Sequence, residues 1–270
     1  MTAPVLLDVK NVNTIFGAHH VLKDVSFTIR PGETVGLVGE SGSGKTTIGR
    51  AILGIGPVSS GSLMFQGQEI AGLPPRERKG DAARIQAVFQ DPYTSLNPSM
   101  TIEDILAEPV VARGIQSVSE ARARVRELLD AVNLPADAAH RFPREFSGGQ
   151  RQRVAIARAL ALQPKLIVCD EPVSALDLST QARVLDLFVE LQERTGVAYL
   201  FVSHDLAVVR HISHRVAVMR GGEIVEFGDC DQVTARPAHP YTQRLLLAAP
   251  VANPARQAER RAAFRALQKA

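Results

Sequence analysis

The chain has 270 residues, of which 45% are hydrophobic and 22% are charged, and its formal net charge is +3. These proportions are ordinary for soluble globular proteins and allow a substantial core. The sequence contains no apolar run of about eighteen residues, so no membrane-spanning helix is expected. The two cysteines, Cys169 and Cys230, predict neither a disulfide framework nor a metal cluster. The weak positive charge does not indicate binding to nucleic acid.

The first 95 residues predict strands joined by turns. Alternating polar and apolar residues, and apolar runs bounded by glycine or proline, indicate strands over 6–12, 21–29, 34–38, 62–65 and 85–89. The run 34–38 is apolar after Thr34, which is typical of a strand buried on both faces. The stretch 74–81 is rich in proline and charge, and we expect it to be a loop.

A glycine-rich loop follows the strand predicted over 34–38. It fits the pattern G-x-x-x-x-G-K-[ST] with the residues Gly39, Glu40, Ser41, Gly42, Ser43, Gly44, Lys45, Thr46 and Thr47. Glycines let several backbone N–H groups point at one anion, and the helix expected over 46–53 adds its positive N-terminal end. Lys45 is expected to reach the β- and γ-phosphates of a nucleotide, and Thr46 to offer its hydroxyl to Mg²⁺.

Residues 96–162 have a different character. The stretches 102–111 and 120–132 show helical periodicity, with Arg and Glu on the outer face. A further helix is expected over 154–162. The motif Ser147-Gly148-Gly149-Gln150 comes shortly before it, and taken alone it could be a simple helix cap.

From Lys165 onward, strands and helices alternate, which predicts a mostly parallel sheet covered by helices. The apolar run 166–169 ends in Asp170 and Glu171. Asp170 is placed to hold Mg²⁺ through water, and Glu171 to polarise an attacking water, although an acidic turn after an ordinary strand would look the same. The other predicted elements are helices over 180–194 and 206–212, strands over 198–203, 215–219 and 223–227, and a turn at 221–222.

These motifs occur in the order found in the ATP-binding-cassette (ABC) ATPases, and the chain resembles that family over nearly its whole length. Taken singly, Phe16, Gln90 and His204 could each have an ordinary structural role. The resemblance implies that Phe16 stacks on adenine and that Gln90 senses Mg²⁺, water and the transporter's coupling helix. It also implies that His204 contacts the γ-phosphate.

The resemblance extends to residues that act between two subunits. Ser147, Gly148, Gly149 and Gln150 match the family's signature motif, which grips the γ-phosphate bound to a second monomer. Two further residues, Ser174 and Asp177, match the loop that crosses between the subunits. ATP would then join two head-to-tail cassettes, and hydrolysis would let the interface between them open.

The resemblance also implies a fold and a set of roles. The fold would be an α/β P-loop nucleotide triphosphatase with a RecA-like mixed sheet, an N-terminal antiparallel β subdomain and an inserted α-helical subdomain. The expected divisions are 1–95, 96–162, 163–235 and a C-terminal extension over 236–270. ATP and Mg²⁺ would be bound. The implied catalytic residues are Lys45, Gln90, Glu171 and His204, and the implied Mg²⁺ ligands are Thr46, Gln90 and Asp170.

A closer resemblance links the chain to the ATPase subunits of oligopeptide, dipeptide and nickel importers. It is carried by 90–98, by Val173 within 170–177, and by the His-Pro-Tyr-Thr element in 237–246, which marks the lineage and has no assigned chemistry. The implied partners are two integral-membrane permeases, an extracytoplasmic solute-binding protein and a second ABC ATPase. The implied location is the cytoplasmic face of the inner membrane. Some members hold an iron–sulfur cluster near the C-terminus, but 237–270 contains no cysteine, so none is expected here.

Two other functions fit the same motifs. The chain could be an accessory ATPase of a soluble complex, such as one that breaks down phosphonates, or a cassette acting on nucleic acid or ribosomes. The second group usually has long coiled coils, zinc-binding cysteines or fused cassettes, and the sequence shows none of these. No nucleic-acid partner is therefore expected. The Ala/Arg-rich tail 255–270 is interpreted as a solvated or frayed helix, with binding to anionic lipid or a partner as the alternative.

Overall fold

The computed structural model describes residues 4–248. The predicted helical tail over 255–270 lies outside them. Within the described residues the strands, in chain order, are β1 (Leu7–Phe16), β2 (His19–Ile29), β3 (Thr34–Val38), β4 (Ser60–Phe65), β5 (Gln68–Glu69), β6 (Gln86–Phe89), β7 (Leu166–Asp170), β8 (Ala198–Val202), β9 (Arg215–Arg220) and β10 (Glu223–Asp229).

The strands form two sheets. One is four-stranded and antiparallel, with the order β2-β1-β4-β5. The other is six-stranded, with the order β10-β9-β3-β8-β7-β6, and all its neighbouring strands are parallel except the β9–β10 hairpin. Strands β3 and β8 are buried along their full length, which explains why their sequences are mostly apolar. The predicted mixed sheet and N-terminal antiparallel subdomain are confirmed.

The helices of the described residues pack on the larger sheet and on one another. They are α1 (Lys45–Leu53), α2 (Pro92–Ser95), α3 (Ile102–Ala112), α4 (Val118–Ala123), α5 (Val125–Ala131), α6 (Gly148–Leu160), α7 (Leu178–Thr195), α8 (Leu206–Ile212), α9 (Cys230–Ala235) and α10 (Pro240–Ala248). Helices α2 to α6 lie between β6 and β7 in the chain and form the inserted helical region. No helix in residues 4–248 is long and apolar enough to cross a membrane.

Three local predictions were wrong in detail. The helix expected over 120–132 is divided at Arg124, whose N–H bonds back to the carbonyl of Ala121 in a tight turn. The helix expected from residue 154 begins at Gly148, because the Ser147 side chain caps it. The expected loop over 74–81 contains two short 3₁₀ turns, Pro75–Glu77 and Gly80–Arg84.

Helix α7 is fixed to the sheet by a cluster of aromatic rings. The ring of Phe188 on α7 is fully buried and meets two rings of β8 edge to face, at 5.4 Å from Tyr199 and 5.6 Å from Phe201. Edge-to-face pairs add to the stabilisation that burial already gives. The Phe188 side chain is therefore central to the packing of α7 on the sheet.

Replacing Phe188 with alanine should lower the free energy of unfolding by about 3–5 kcal/mol, because it leaves a cavity under α7. The change is measured by urea denaturation, with circular dichroism as the signal. The matched control is Leu178→Ala at the start of the same helix, where the side chain is 84% exposed. The control should change stability by less than about 0.5 kcal/mol. Equal losses in both variants would contradict this packing account.

Candidate functional site

The site lies where four parallel strands end. Strands β3, β8, β7 and β6 are neighbours in the sheet, and their carboxyl ends lie side by side. The residues that follow these ends include Gly39, His204, Glu171 and Gln90. Crevices at this edge of a parallel sheet are the usual place for ligands in such folds. The topology thus brings together four motifs that are far apart in the sequence.

The loop after β3 can form only with glycine at fixed positions. Gly39, Gly42 and Gly44 have positive φ angles of 155°, 77° and 106°. A Cβ on Gly39 would lie 2.1 Å from the Met219 carbonyl oxygen, and one on Gly44 would lie 2.8 Å from a methyl of Leu22. The loop therefore packs its backbone directly against β9 and β2, and any side chain at these two positions would displace it.

The first turn of α1 is suited to an anion. No side chain caps this helix, and no acidic residue lies in its first turn. The first N–H groups of a helix have no partner within the helix and carry partial positive charge. The hydroxyl of Ser43, just before the helix, is buried and has no hydrogen-bond partner among the described residues. These unpaired donors are what a phosphate group requires.

The amine of Lys45 lies across this loop. Its Nζ donates hydrogen bonds to the carbonyl oxygens of Gly39 at 2.9 Å and Glu40 at 2.8 Å. Burial lowers the pKa of Lys45, while the charges of Glu171 and Asp170 act in the opposite direction. The amine is thus held at the loop, beside carboxylates that favour its charged form.

Asp170 and Thr46 form a pair of oxygen ligands. The Thr46 hydroxyl donates a hydrogen bond of 3.1 Å to Oδ1 of Asp170. Burial raises the pKa of Asp170, and the bond from Thr46 opposes this shift. A hydroxyl and one carboxylate suit Mg²⁺, which keeps several waters and takes its remaining ligands from substrate phosphates. Within residues 4–248 no group of three or more His, Cys, Asp or Glu side chains could hold a metal alone.

Glu171 is held in an unusual backbone conformation. Its φ is 49°, in the left-handed region, where a non-glycine residue costs on the order of 1–3 kcal/mol. The conformation is fixed by a bond from its N–H to the Val202 carbonyl at 3.0 Å, and its own carbonyl accepts from the Ser174 hydroxyl at 3.0 Å. The Glu171 carboxylate lies 3.2 Å from Nδ1 of His204. Two of the predicted catalytic side chains are therefore in direct contact.

A cavity of about 720 Å³ opens between α1, the end of β7 and the segment after β6. It is lined by Thr46, Arg50, Phe89, Gln90, Asp91, Thr94, Ser95, Arg158, Asp170 and Glu171. It contains all three predicted Mg²⁺ ligands and the predicted water-polarising carboxylate. Arg50 and Arg158 were not predicted, because an arginine on a helix ordinarily indicates a solvated face.

Phe16 lies apart from this cavity, at the tip of the β1–β2 hairpin. It is paired across the strands with His19, and 48% of its surface is exposed. An exposed aromatic ring at a hairpin tip is consistent with the predicted role of stacking on a base.

The signature residues form the start of α6. The Ser147 hydroxyl accepts the N–H of Gln150 at 3.4 Å, and the Gln150 side chain accepts the N–H of Ser147 at 3.0 Å, which is a capping box. A second cavity, of about 310 Å³, is lined by Asn133, Leu134, Pro135, Ser147, Gly149, Gln150, Arg153, Thr180 and Arg183. No phosphate-loop residue lines this cavity, so one chain presents the two motifs at separate places.

The signature turn is packed tightly on the start of α7. Asp177 caps α7 by accepting the N–H groups of Ser179 and Thr180, at 3.1 and 3.0 Å. Hydrogen bonds from the Thr180 and Ser179 hydroxyls, together with these backbone bonds, hold the pKa of Asp177 far below its usual range. A Cβ on Gly149 would lie 2.2 Å from the Thr180 methyl, whereas one on Gly148 would make only ordinary contacts.

Gly149→Ala should therefore lower the free energy of unfolding by about 1–3 kcal/mol, because Thr180 would have to turn away from Asp177 to make room. Gly148→Ala is the matched control and should change it by less than about 0.5 kcal/mol. Thermal unfolding of the two purified variants, without nucleotide, makes the comparison. Equal stability of the two would contradict the packing described for this turn.

Helix α6 is also joined to the segment that carries Gln90. The Arg151 guanidinium lies over the ring of Tyr93 at 4.1 Å. The buried Gln152 amide donates to the Phe89 carbonyl at 3.5 Å, and Arg158 donates to the Ser95 carbonyl. Three contacts thus connect α6 with the Gln90 segment. These contacts were not predicted from the sequence.

Comparison with known proteins agrees with this geometry. The family model described as ABC transporter matches residues 22–174, and the model described as oligopeptide/dipeptide transporter, C-terminal region, matches residues 225–268. The chain belongs to the ABC transporter family, and its C-terminal part matches the oligopeptide/dipeptide group. Both resemblances seen in the sequence are confirmed.

Among individual relatives, the chain is similar to the glutathione import ATP-binding protein GsiA of Escherichia coli strain K12 and of Shigella flexneri. In each case it is 51% identical over 250 residues, which cover 93% of this chain. The chain spans about 40% of the length of these curated relatives.

Solved structures give the same fold. Protein cbiO1 from Clostridium perfringens, part of the ABC transporter complex cbiONQ, has a TM-score of 0.77 and 28% identity, covering 90% of this chain and 95% of that one. The ATP-binding cassette MJ0796 bound to ADP and Pi has a TM-score of 0.69 and 30% identity, covering 83% of this chain and 98% of that one.

Proposed function

We propose that this chain is the ATP-hydrolysing subunit of a membrane importer for oligopeptides, dipeptides or a related small solute. The main support for ATP hydrolysis is that an anion-binding loop, Lys45, Asp170 and Glu171 lie together at one edge of the sheet. The match to the oligopeptide/dipeptide transporter region and the glutathione import relatives support a peptide-like solute.

Nucleotide binding follows from the donors at the loop. The backbone N–H groups of 39–47 and the start of α1 would hold the phosphates of ATP, and Lys45 would move from the loop carbonyls to the β- and γ-phosphates. Phe16 would stack on adenine. Mg²⁺, held by Thr46, Gln90 and Asp170 together with water, would supply charge neutralisation on the phosphates.

Hydrolysis is assigned to Glu171 and its neighbours. A water oriented by the Glu171 carboxylate, which accepts its proton, would attack the γ-phosphorus. A new P–O bond would form as the bond to the bridging oxygen breaks, which leaves ADP and inorganic phosphate. Gln90 and His204 position the water and the γ-phosphate, and Lys45 stabilises the charge that develops. The left-handed backbone of Glu171 fixes the carboxylate in advance, so little reorganisation is needed.

The separation of the two cavities supports a dimer. Ser147, Gly148, Gly149 and Gln150 lie away from the phosphate loop of the same chain, so they would complete the site of a second cassette. Ser174 and Asp177 would line the interface between the two cassettes. The hydrogen bond from the Ser174 hydroxyl to the Glu171 carbonyl would link this interface to the residue that polarises the water. The second cassette is this chain or a homologue.

The proposed surroundings are those of an importer. Two integral-membrane permeases and an extracytoplasmic solute-binding protein are the partners, and the chain sits at the cytoplasmic face of the inner membrane. The subdomain divisions 1–95, 96–162, 163–235 and 236–270 are part of this proposal. The region around Gln90 and α2–α6 would receive the permease.

Affinity purification from the native cell in mild detergent, with mass spectrometry, tests the transport assignment. Two polytopic membrane proteins should copurify, with or without a second ABC ATPase. Recovery with soluble enzymes or ribosomes instead would overturn the transport function and leave the ATPase chemistry intact.

Glu171→Gln should bind ATP but hydrolyse it at least about 100-fold more slowly, because the amide cannot accept the proton of the attacking water. Phosphate release and nucleotide binding are measured on the same preparation, and the variant should remain in the closed dimer. Glu193→Gln, an exposed change on α7, is the charge-matched control and should keep normal activity. Near wild-type phosphate release by Glu171→Gln would contradict the assignment.

Ser147→Ala separates a role in capping from a role in the second site. It should lower stability by about 0.5–2 kcal/mol, as loss of a capping serine does. Ser117→Ala, which removes the equivalent capping box of α4, should cost a similar amount. Only Ser147→Ala should also impair ATP hydrolysis. Equal ATPase activity in the two variants would show that Ser147 serves the helix alone.

A further inference from the structure

The His-Pro-Tyr-Thr element at the start of α10 is clamped to the larger sheet. The Glu226 carboxylate on β10 accepts the N–H of Ala238 at 2.8 Å and that of His239 at 3.1 Å. The His239 ring accepts the N–H of Tyr241 at 3.1 Å through Nδ1. The first turn of α10 therefore has a fixed position relative to β10, and Tyr241 has a fixed direction.

Tyr241 reaches from this turn to the phosphate loop. Its side chain is only 4% exposed and packs in a small apolar cluster with Val38 and Val218, and the Arg220 guanidinium lies 5.0 Å from its ring centre. The hydroxyl oxygen accepts the backbone N–H of Glu40 at 3.2 Å, across 201 residues of sequence. Burial raises the pKa of Tyr241, and the hydrogen bond from the Glu40 N–H opposes this shift.

The residue that Tyr241 holds is central to the loop. The Glu40 carbonyl accepts the Lys45 amine at 2.8 Å and the Ser43 N–H at 3.2 Å. One residue thus connects Tyr241 on one side with Lys45 and the loop backbone on the other. Gly39 and Gly42 lie close to Glu40 on either side, so this segment has high conformational freedom unless a contact from outside the loop fixes it.

We propose that Tyr241 is a positioning residue for the phosphate loop: its hydroxyl fixes the Glu40 N–H and so pre-orders the loop for the phosphates of ATP. The inference rests on the proposed nucleotide binding and goes beyond it, because it gives a functional role to an element that marked only lineage in the sequence. Fixing a loop in its bound conformation before binding raises affinity by reducing the ordering cost.

The test is Tyr241→Phe in the full chain, which keeps the ring and removes the hydroxyl. Tyr199→Phe is the matched control, because the Tyr199 hydroxyl is also buried but has no hydrogen-bond partner among the described residues. The affinity for a fluorescent ATP analogue with Mg²⁺ should fall about three- to tenfold in Tyr241→Phe, as expected for one lost hydrogen bond, with the number of binding sites unchanged. Tyr199→Phe should bind like the wild type.

Hydrogen exchange provides a second readout, which separates local loosening of the phosphate loop from a general loss of stability. Without nucleotide, the Glu40 amide should exchange faster in Tyr241→Phe than in the wild type, and Tyr199→Phe should leave it unchanged. Unchanged affinity in Tyr241→Phe, or fewer binding sites with normal affinity, would overturn the inference while leaving nucleotide binding intact. A wild-type chain that does not bind the analogue would instead overturn the proposed function, and the inference with it.

Discussion

The rest of the structure depends on one constraint: several backbone N–H groups must converge on one point beside the positive end of a helix. Only a loop with glycine at positions 39 and 44 can approach β9 and β2 closely enough to do this. The parallel sheet places that loop next to the ends of three other strands. The carboxylates, amide and imidazole at those ends therefore lie close together, and burial there lowers the pKa of Lys45 and raises that of Asp170.

A second property follows from the separation of the motifs. The phosphate loop and the signature turn open on different cavities, and neither cavity contains the donors of both. Yet α6 is tied to the Gln90 segment at three points, and Ser174 is bonded to the Glu171 carbonyl. Movement of the helical region would thus be transmitted to the Gln90 segment. Such linked contacts suit a protein whose two halves open and close with nucleotide.

The sequence predicted the features that depend on local pattern. The phosphate loop, the strand ending in Asp170 and the signature motif each have a spacing that their chemistry requires, and the family relationship followed from their order. Features set by packing were not predictable. The left-handed backbone of Glu171 depends on a bond to β8, and the contact between Tyr241 and Glu40 joins residues 201 positions apart. The helix break at Arg124 has no proline or glycine to mark it.

In the proposed function, the chain recognises its ligand through the phosphate groups. The most direct test is a titration of the wild-type protein with ATP, ADP, AMP and adenosine in the presence of Mg²⁺, by calorimetry. We expect ATP and ADP to bind at least about tenfold more tightly than AMP or adenosine, because charge-assisted bonds to the β-phosphate would be lost. Affinity that does not depend on the number of phosphates would contradict the account.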